Sequence, residues 1–221
     1  MSEKAKKLLI FSTPAVIVLI LDQITKHIVR TTPELHRMDL IEGWLAFNFT
    51  KNPGMAMGMD WLSTPTISVV AITATIGIII YIVYTLNRAN YAYLVCMGLI
   101  IGGALGNIYD RIFMGIEGGY GGVLEGHVVD FIHFNLTIGD WAVFPYIFNV
   151  ADIAITTSII VLLLFHKRII PVEEKEDLSD SPDANVLSKE ESKSERIEGI
   201  EDLDDVSVDA GDTGTDPEKG Q

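Results

Sequence analysis

The sequence predicts an all-α polytopic membrane protein with four transmembrane helices, and three observations carry that reading. Four apolar runs reach the roughly 20 residues needed to cross a bilayer core. Basic residues gather in the short segments on one side of those runs, and the chain's negative charge sits almost wholly in its last stretch. Of 221 residues 48% are hydrophobic, yet the net charge is -14. Residues 173–221 hold 18 of the 30 acidic residues but only 5 of the 16 basic ones, so residues 1–172 are close to neutral.

The first run, Leu8 to Val29, follows Lys4, Lys6 and Lys7. That pattern also opens a secretory signal peptide. No small-x-small cleavage site follows Leu21, however, and the chain continues as "DQITKHIV" with helical spacing, so an uncleaved span is expected. A loop from Arg30 to Thr64 follows, and then the second run, Pro65 to Leu86, which carries no charge. The short turn "NRAN" with Arg88 leads to the third run, Tyr91 to Ile112, uncharged up to Asp110. A glycine-rich loop, Phe113 to Pro145, has no basic residue; the fourth run, Tyr146 to Phe165, is followed by Lys167 and Arg168.

Short cytoplasmic loops retain Lys and Arg, so the three basic clusters put both termini in the cytoplasm and both long loops outside. The domain organisation expected is a membrane domain over residues 1–172 and an acidic cytoplasmic tail over 173–221. The tail has no aromatic residue and too little apolar surface to offset its ordering entropy, so it is expected to be disordered. Cys96 is the single cysteine, which excludes an intrachain disulfide and a cysteine-based metal cluster. Long apolar runs with few basic residues argue against a nucleic-acid partner.

Ionisable residues within spans are costly and mark functional or paired structural sites. Under the predicted topology all of them fall at the outer ends. Asp22 and Lys26 stand at i and i+4 with the acid first, the favourable order for an ion pair, although Lys26 could also snorkel toward headgroups. In "GGALGNIYDR", Asn107, Asp110 and Arg111 share a helix face, and Gly102, Gly103 and Gly106 let another helix approach closely. Arg111 is an available counter-ion for Asp110, which favours a structural, ionised carboxylate there. Asp130, in "GHVVDF", and Asp152, in "FNVAD", have no such neighbouring cation. Asn149, one turn before Asp152, could donate to its carboxylate. Two carboxyls in apolar surroundings can share a proton and act as acid and base toward a water and a carbonyl. A structural Asp130 capping a turn fits the spacing equally well. His127, Asp130 and His133 invite a metal reading, but on a strand both histidines face away from Asp130, and no HExxH or cysteine ligand accompanies them. No metal and no cofactor is expected.

Five blocks in order, "LDQITK" (21–26), "NPGMAMG" (52–58), "GGALGNIYDR" (102–111), "GHVVDF" (126–131) and "FNVAD" (148–152), make residues 8–168 resemble the lipoprotein signal peptidases (signal peptidase II), polytopic membrane aspartyl proteases. The resemblance implies that Asp130 and Asp152 are the catalytic pair. It makes Asp22, Lys26, Asn52, Gly54, Asn107, Asp110, Arg111 and Asn149 supporting polar residues of the site. It implies an endopeptidase of the bacterial inner membrane that cleaves diacylglyceryl-modified prolipoproteins just before the lipid-bearing cysteine. It further implies a site at the outer leaflet, no metal, and inhibition by globomycin. The family's loop after the first span forms a small β-containing extracytoplasmic cradle; Arg30 to Thr64 matches it in position, and "WLAFNF" alternates as a short strand does. Three features depart from the family pattern: Met57 stands where an aromatic is common, residues 113–125 are long and glycine-rich, and the acidic tail has no counterpart.

Two other classes of function remain open on the residues alone. A small ion or proton transporter would use the intramembrane carboxylates as a relay, but it needs polar residues through the inner halves of the spans, and "IGIIIYIVYTL" and "SIIVLLLF" offer few. A membrane scaffold would survive neutralising Asp130 and Asp152 together.

Overall fold

The computed structural model describes residues 1–54, 62–134, 137–139, 141–142, 144 and 146–169. Met57 and the acidic stretch 173–221 lie outside the described residues. Helix α1 spans Glu3–Thr31 and starts at Ser2, whose hydroxyl accepts from the Ala5 N–H at 3.2 Å. Helix α2 spans Thr64–Thr85, and α3 spans Tyr91–Glu117 behind Asn90, whose side chain accepts from the Tyr93 N–H at 2.8 Å. Helix α4, Val150–Leu164, is followed by a single turn, α5, His166–Ile169.

Helices α1, α2 and α3 are long and apolar enough to cross a membrane, whereas α4 is apolar but shorter. Its 15 residues rise about 22 Å, less than the roughly 30 Å of a hydrocarbon core. The expected fourth span therefore starts four residues late. The cause is local: Asn149 and Asp152 form a capping box that fixes the helix start, and Ile147–Phe148 are spent on a strand. Helix α3 departs in the other direction and runs five residues past Ile112, into the segment expected to be loop.

Glycines set how the helices meet. Gly98 packs on Phe11 and Pro14, Gly102 on the Ala15 backbone and Gly106 on the Asp22 side chain, so α1 and α3 run parallel and in step. Any Cβ at Gly102 would collide with that backbone. Gly103, one position on, faces α4, where a Cβ would lie 2.6 Å from the Ala151 carbonyl. Small residues thus let α3 approach α1 and α4 at once.

The sheet is larger than a cradle built from one loop. Strands β1 (Arg37–Ile41), β2 (Leu45–Asn52), β3 (Val128–Phe134) and β6 (Ile147–Phe148) form an antiparallel sheet in the order β1-β2-β3-β6. A two-stranded ribbon, β4 (Thr137–Ile138) with β5 (Trp141–Ala142), lies between β3 and β6 in sequence. The "WLAFNF" stretch falls on β2 as its alternation suggests, but β3 comes from the second long loop and β6 from the start of the expected fourth span. Asp130 consequently sits on a central strand, opposite Thr50, just past a register shift between Phe47 and Thr50.

The glycine-rich segment is what delivers the chain to β3. The Leu124 carbonyl, at φ +69°, accepts from the buried Ser68 hydroxyl of α2 at 2.9 Å. The Gly126 N–H donates to the Arg111 carbonyl at 3.0 Å, and a Cβ there would overlap the Asp110 backbone. Two apolar clusters complete the packing. One joins Ile82, Leu86, Tyr93, Leu94 and Met97 near the α2–α3 turn; the other joins Val29, Met114, Val129 and Phe131 where the sheet rests on the ends of α1 and α3.

Candidate active site

The end of α1, the last turns of α3 and the start of α4 converge beneath β3, and all the helical carboxylates named above meet there. Lys26, 3% exposed, contacts Asp22 at 2.8 Å, Asp110 at 2.9 Å and the Asn107 Oδ1 at 2.9 Å. Its three N–H bonds are thereby used. The local pairing of Asp22 with Lys26 is observed. The expected pairing of Asp110 with Arg111 is not: Lys26 takes Asp110, because α1 and α3 pack tightly enough to bring a cation from the neighbouring helix.

Each carboxylate of this triad also holds an element in place. Asp22 Oδ1 accepts from the Ala151 N–H at 3.0 Å, an anion from α1 at the N-terminus of α4. Asp110 Oδ2 accepts from the Val129 N–H at 3.1 Å and so fixes β3 one residue before Asp130. Gln23, which the sequence reading did not single out, donates to Asp22 at 3.2 Å, to Asp110 at 3.1 Å and to the Gly106 carbonyl at 3.1 Å. Its spacing of three from Lys26 on a helix was the signal available.

Asn149 joins this scaffold to the remaining two aspartates. Its Oδ1 accepts from the Asp152 N–H at 3.0 Å while Asp152 Oδ2 accepts from the Asn149 N–H at 3.2 Å. The amide nitrogen of the same side chain donates to Asp130 Oδ1 at 2.7 Å. One fully buried asparagine therefore positions both carboxyls. Two more amides finish the set: Asn52 donates to Asp130 Oδ2 at 2.9 Å, and Asn107 to Asp152 Oδ1 at 2.9 Å. Asn52 is itself oriented by the Gly54 N–H, which donates to its Oδ1 at 2.8 Å.

Asp130, Asp152, Asn52, Gly54, Asn107 and Arg111 line one cavity of about 390 Å³. Phe144 and Tyr146, absent from the sequence-based set, also line it. A second, apolar cavity of about 330 Å³, walled by Phe134, Phe144, Phe148 and Ile153, shares Asp152 with the first. Among the described residues neither Asp130 nor Asp152 makes a salt bridge. Arg111 faces the cavity, its guanidinium donating to the Asn107 carbonyl at 3.1 Å while its buried Nε has no partner. His133 lies on the other face of β3, with Arg37 and Asp39, so it does not join Asp130.

Burial pushes the Asp130 carboxyl up to about 7, and the neighbouring Asp152 charge adds to the rise, against the amides of Asn52 and Asn149 and the charge of Lys26, which favour ionisation. A carboxyl that keeps its proton near neutrality beside a second carboxyl can act as an acid while its neighbour acts as a base.

Comparisons with known proteins agree on one family. The chain is 36% identical over 166 residues to the lipoprotein signal peptidase of Chlorobium phaeobacteroides (strain BS1), covering 72% of this chain and 96% of that protein. It is 33% identical over 183 residues to the lipoprotein signal peptidase of Porphyromonas gingivalis (strain ATCC 33277), covering 69% of this chain and 80% of that protein. A solved structure described as a bacterial membrane enzyme superimposes with a TM-score of 0.54 at 33% identity, covering 78% of this chain and 94% of that one. Residues 14–167 match the pattern of the family described as Signal peptidase (SPase) II, and this membrane chain belongs to that peptidase family.

Proposed function

We propose that this protein removes the signal peptide from diacylglyceryl-modified prolipoproteins, cleaving before the lipid-bearing cysteine, with Asp130 and Asp152 acting as a dyad on water. The observation that carries this reading is Asn149, whose side-chain amide donates to the Asp130 carboxyl and whose backbone N–H donates to the Asp152 carboxyl, both carboxyls lining a single cavity. Asp152 takes a proton from water as its oxygen attacks the scissile carbonyl, and Asp130 gives its proton to the carbonyl oxygen. The tetrahedral intermediate then breaks its C–N bond. The leaving amine receives the proton gained by Asp152, and Asp130 recovers one from the hydroxyl of the collapsing intermediate. The two carboxyls titrate as a coupled pair. The apolar cavity beside Asp152 suits a hydrophobic signal segment entering sideways from lipid.

The activity is assigned to residues 1–172, with the acidic stretch 173–221 as a cytoplasmic tail outside it, and the site to the outer leaflet. The transporter alternative has nothing comparable behind it, since α1 carries no charge between Lys7 and Asp22, α3 none before Asp110, and α2 none at all.

The test is cleavage of a purified diacylglyceryl precursor. Asp130→Asn and Asp152→Asn are each expected to lower turnover by about 10²–10⁴-fold, the range of a lost general acid or base, with the protein still inserted. A chelator, or ending the chain at residue 172, should leave turnover unchanged, and globomycin should abolish it. Near-normal turnover in either Asn variant would sink the dyad assignment.

A further inference from the structure

Another cavity, about 560 Å³, opens between α1 and α3. It shares no lining residue with the dyad cavity: Lys26 and Asp110 face it, whereas Asn107 and Arg111 face the dyad. Its walls change character along α1. Leu19 and the half-exposed Ile20 make its apolar end, and at the other end stand His27 and Arg30, eight and eleven residues beyond Leu19 or about 12 and 16 Å along the axis, with Tyr109 and Glu117 of α3.

The Arg30 end offers both signs of charge. Arg30 uses one nitrogen, Nη1, on Glu117 at 3.0 Å and on the Met114 sulfur at 2.8 Å. Its other nitrogens, and the exposed His27 ring, have no protein partner among the described residues. Glu117, 39% exposed and last in α3, accepts from the Tyr109 hydroxyl at 3.3 Å and sits where a helix C-terminus favours a cation. Farther along, Gln23 and Lys26 are both bonded to Asp110, so the donors and acceptors to spare are at the Arg30 end.

We propose that this groove is a binding site for a phospholipid whose headgroup pairs a phosphate with a primary amine, as in phosphatidylethanolamine. The phosphate lies on Arg30 and His27, the ammonium on Glu117, and one acyl chain along Leu19 and Ile20. A phosphatidylglycerol headgroup brings a neutral glycerol and so no cation to Glu117, and a choline headgroup has no N–H to donate to it. The proposal rests on the membrane setting of the family but not on which side the site faces or on the dyad.

The full chain, purified in detergent, is to be mixed with equal amounts of phosphatidylethanolamine, phosphatidylglycerol and phosphatidylcholine and its retained lipid counted by native mass spectrometry. Phosphatidylethanolamine is expected to be retained at least fivefold over the other two. Ile20→Trp, which crowds the apolar end, and Arg30→Gln should each lower that retention at least fivefold, while Val70→Trp on the exposed face of α2 should not. Glu117→Gln should erase the preference between the ethanolamine and glycerol lipids without abolishing binding. Equal retention of the three lipids, a preference for phosphatidylglycerol, or wild-type retention in Ile20→Trp and Arg30→Gln would overturn the proposal. None of these readouts involves cleavage, so failure here leaves the peptidase reading untouched.

Discussion

Asp130 is 3% exposed, flanked by Val129 and Phe131, and held by amides instead of a cation. Its proton is therefore retained to about pH 7, against 3.8 for the ordinary group. If the protonated form is the acid, kcat/KM should fall about tenfold per pH unit above 7, and a profile that stays flat to pH 9 would remove Asp130 from that role. Stability carries the same signature. Between pH 4 and 7 the folded chain holds a proton that the unfolded chain has released, so this contribution is present below pH 4 and lost as pH rises through 7. At this scale the sequence marked Asp130 and Asp152 as acids without a neighbouring cation, while a turn-capping Asp130 fitted the same spacing and only the family resemblance joined the two as a pair. It could not reveal that Lys26 reaches across to Asp110, or that Gln23 bridges two acids, because both depend on how closely two helices pack.

At the scale of elements, the ion cluster does structural work that local propensity does not. Asp22 ties α1 to α4, Asp110 ties α3 to β3, and Lys26 neutralises both. Asp22 and Asp110 are 0% and 1% exposed, so removing the cation leaves two buried charges. Lys26→Met should accordingly cost about 3–5 kcal/mol, the range for breaking a buried pair. Denaturant unfolding in detergent would measure it, and a change under about 1 kcal/mol would mean the carboxylates do not depend on Lys26 for charge. The helices were legible from apolar run length, and β2 from alternation. The late start of α4 was written in "FNVAD" as a capping box, yet an apolar count reads straight through Tyr146–Phe148. Strand β3 was not legible because its first four residues, "VVDF", are buried on both faces, which removes the period-2 signal, and its partner strand lies almost eighty residues away.

For the molecule as a whole, the two ends of the helical bundle differ in chemistry. The sheet and all the buried acids occupy one end. At the other, Lys7 donates to the Asn87 carbonyl at 2.7 Å, Tyr91 to Glu3 at 2.7 Å and Asn90 to the Arg168 carbonyl at 3.1 Å. The N-terminus, the α2–α3 turn and the end of α4 therefore meet, and they bring Lys4, Lys6, Lys7, Arg88, Lys167 and Arg168 together. Basic residues near span ends stay in the cytoplasm, and that end carries six against Arg30, Arg37 and Lys51 in the loop from 30 to 64 and none in the loop from 113 to 145. The sheet should then lie outside, where a lipid-anchored precursor would present its cleavage point. With Cys96 replaced by alanine, a cysteine at the exposed Glu42 should react with a membrane-impermeant maleimide on intact spheroplasts, and one at the exposed Arg88 only after lysis. The reverse pattern would place the dyad on the cytoplasmic side and break the link between orientation and substrate. Labelling at both positions before lysis would mean that the two ends do not face opposite compartments, contrary to what the three membrane-length helices between them require.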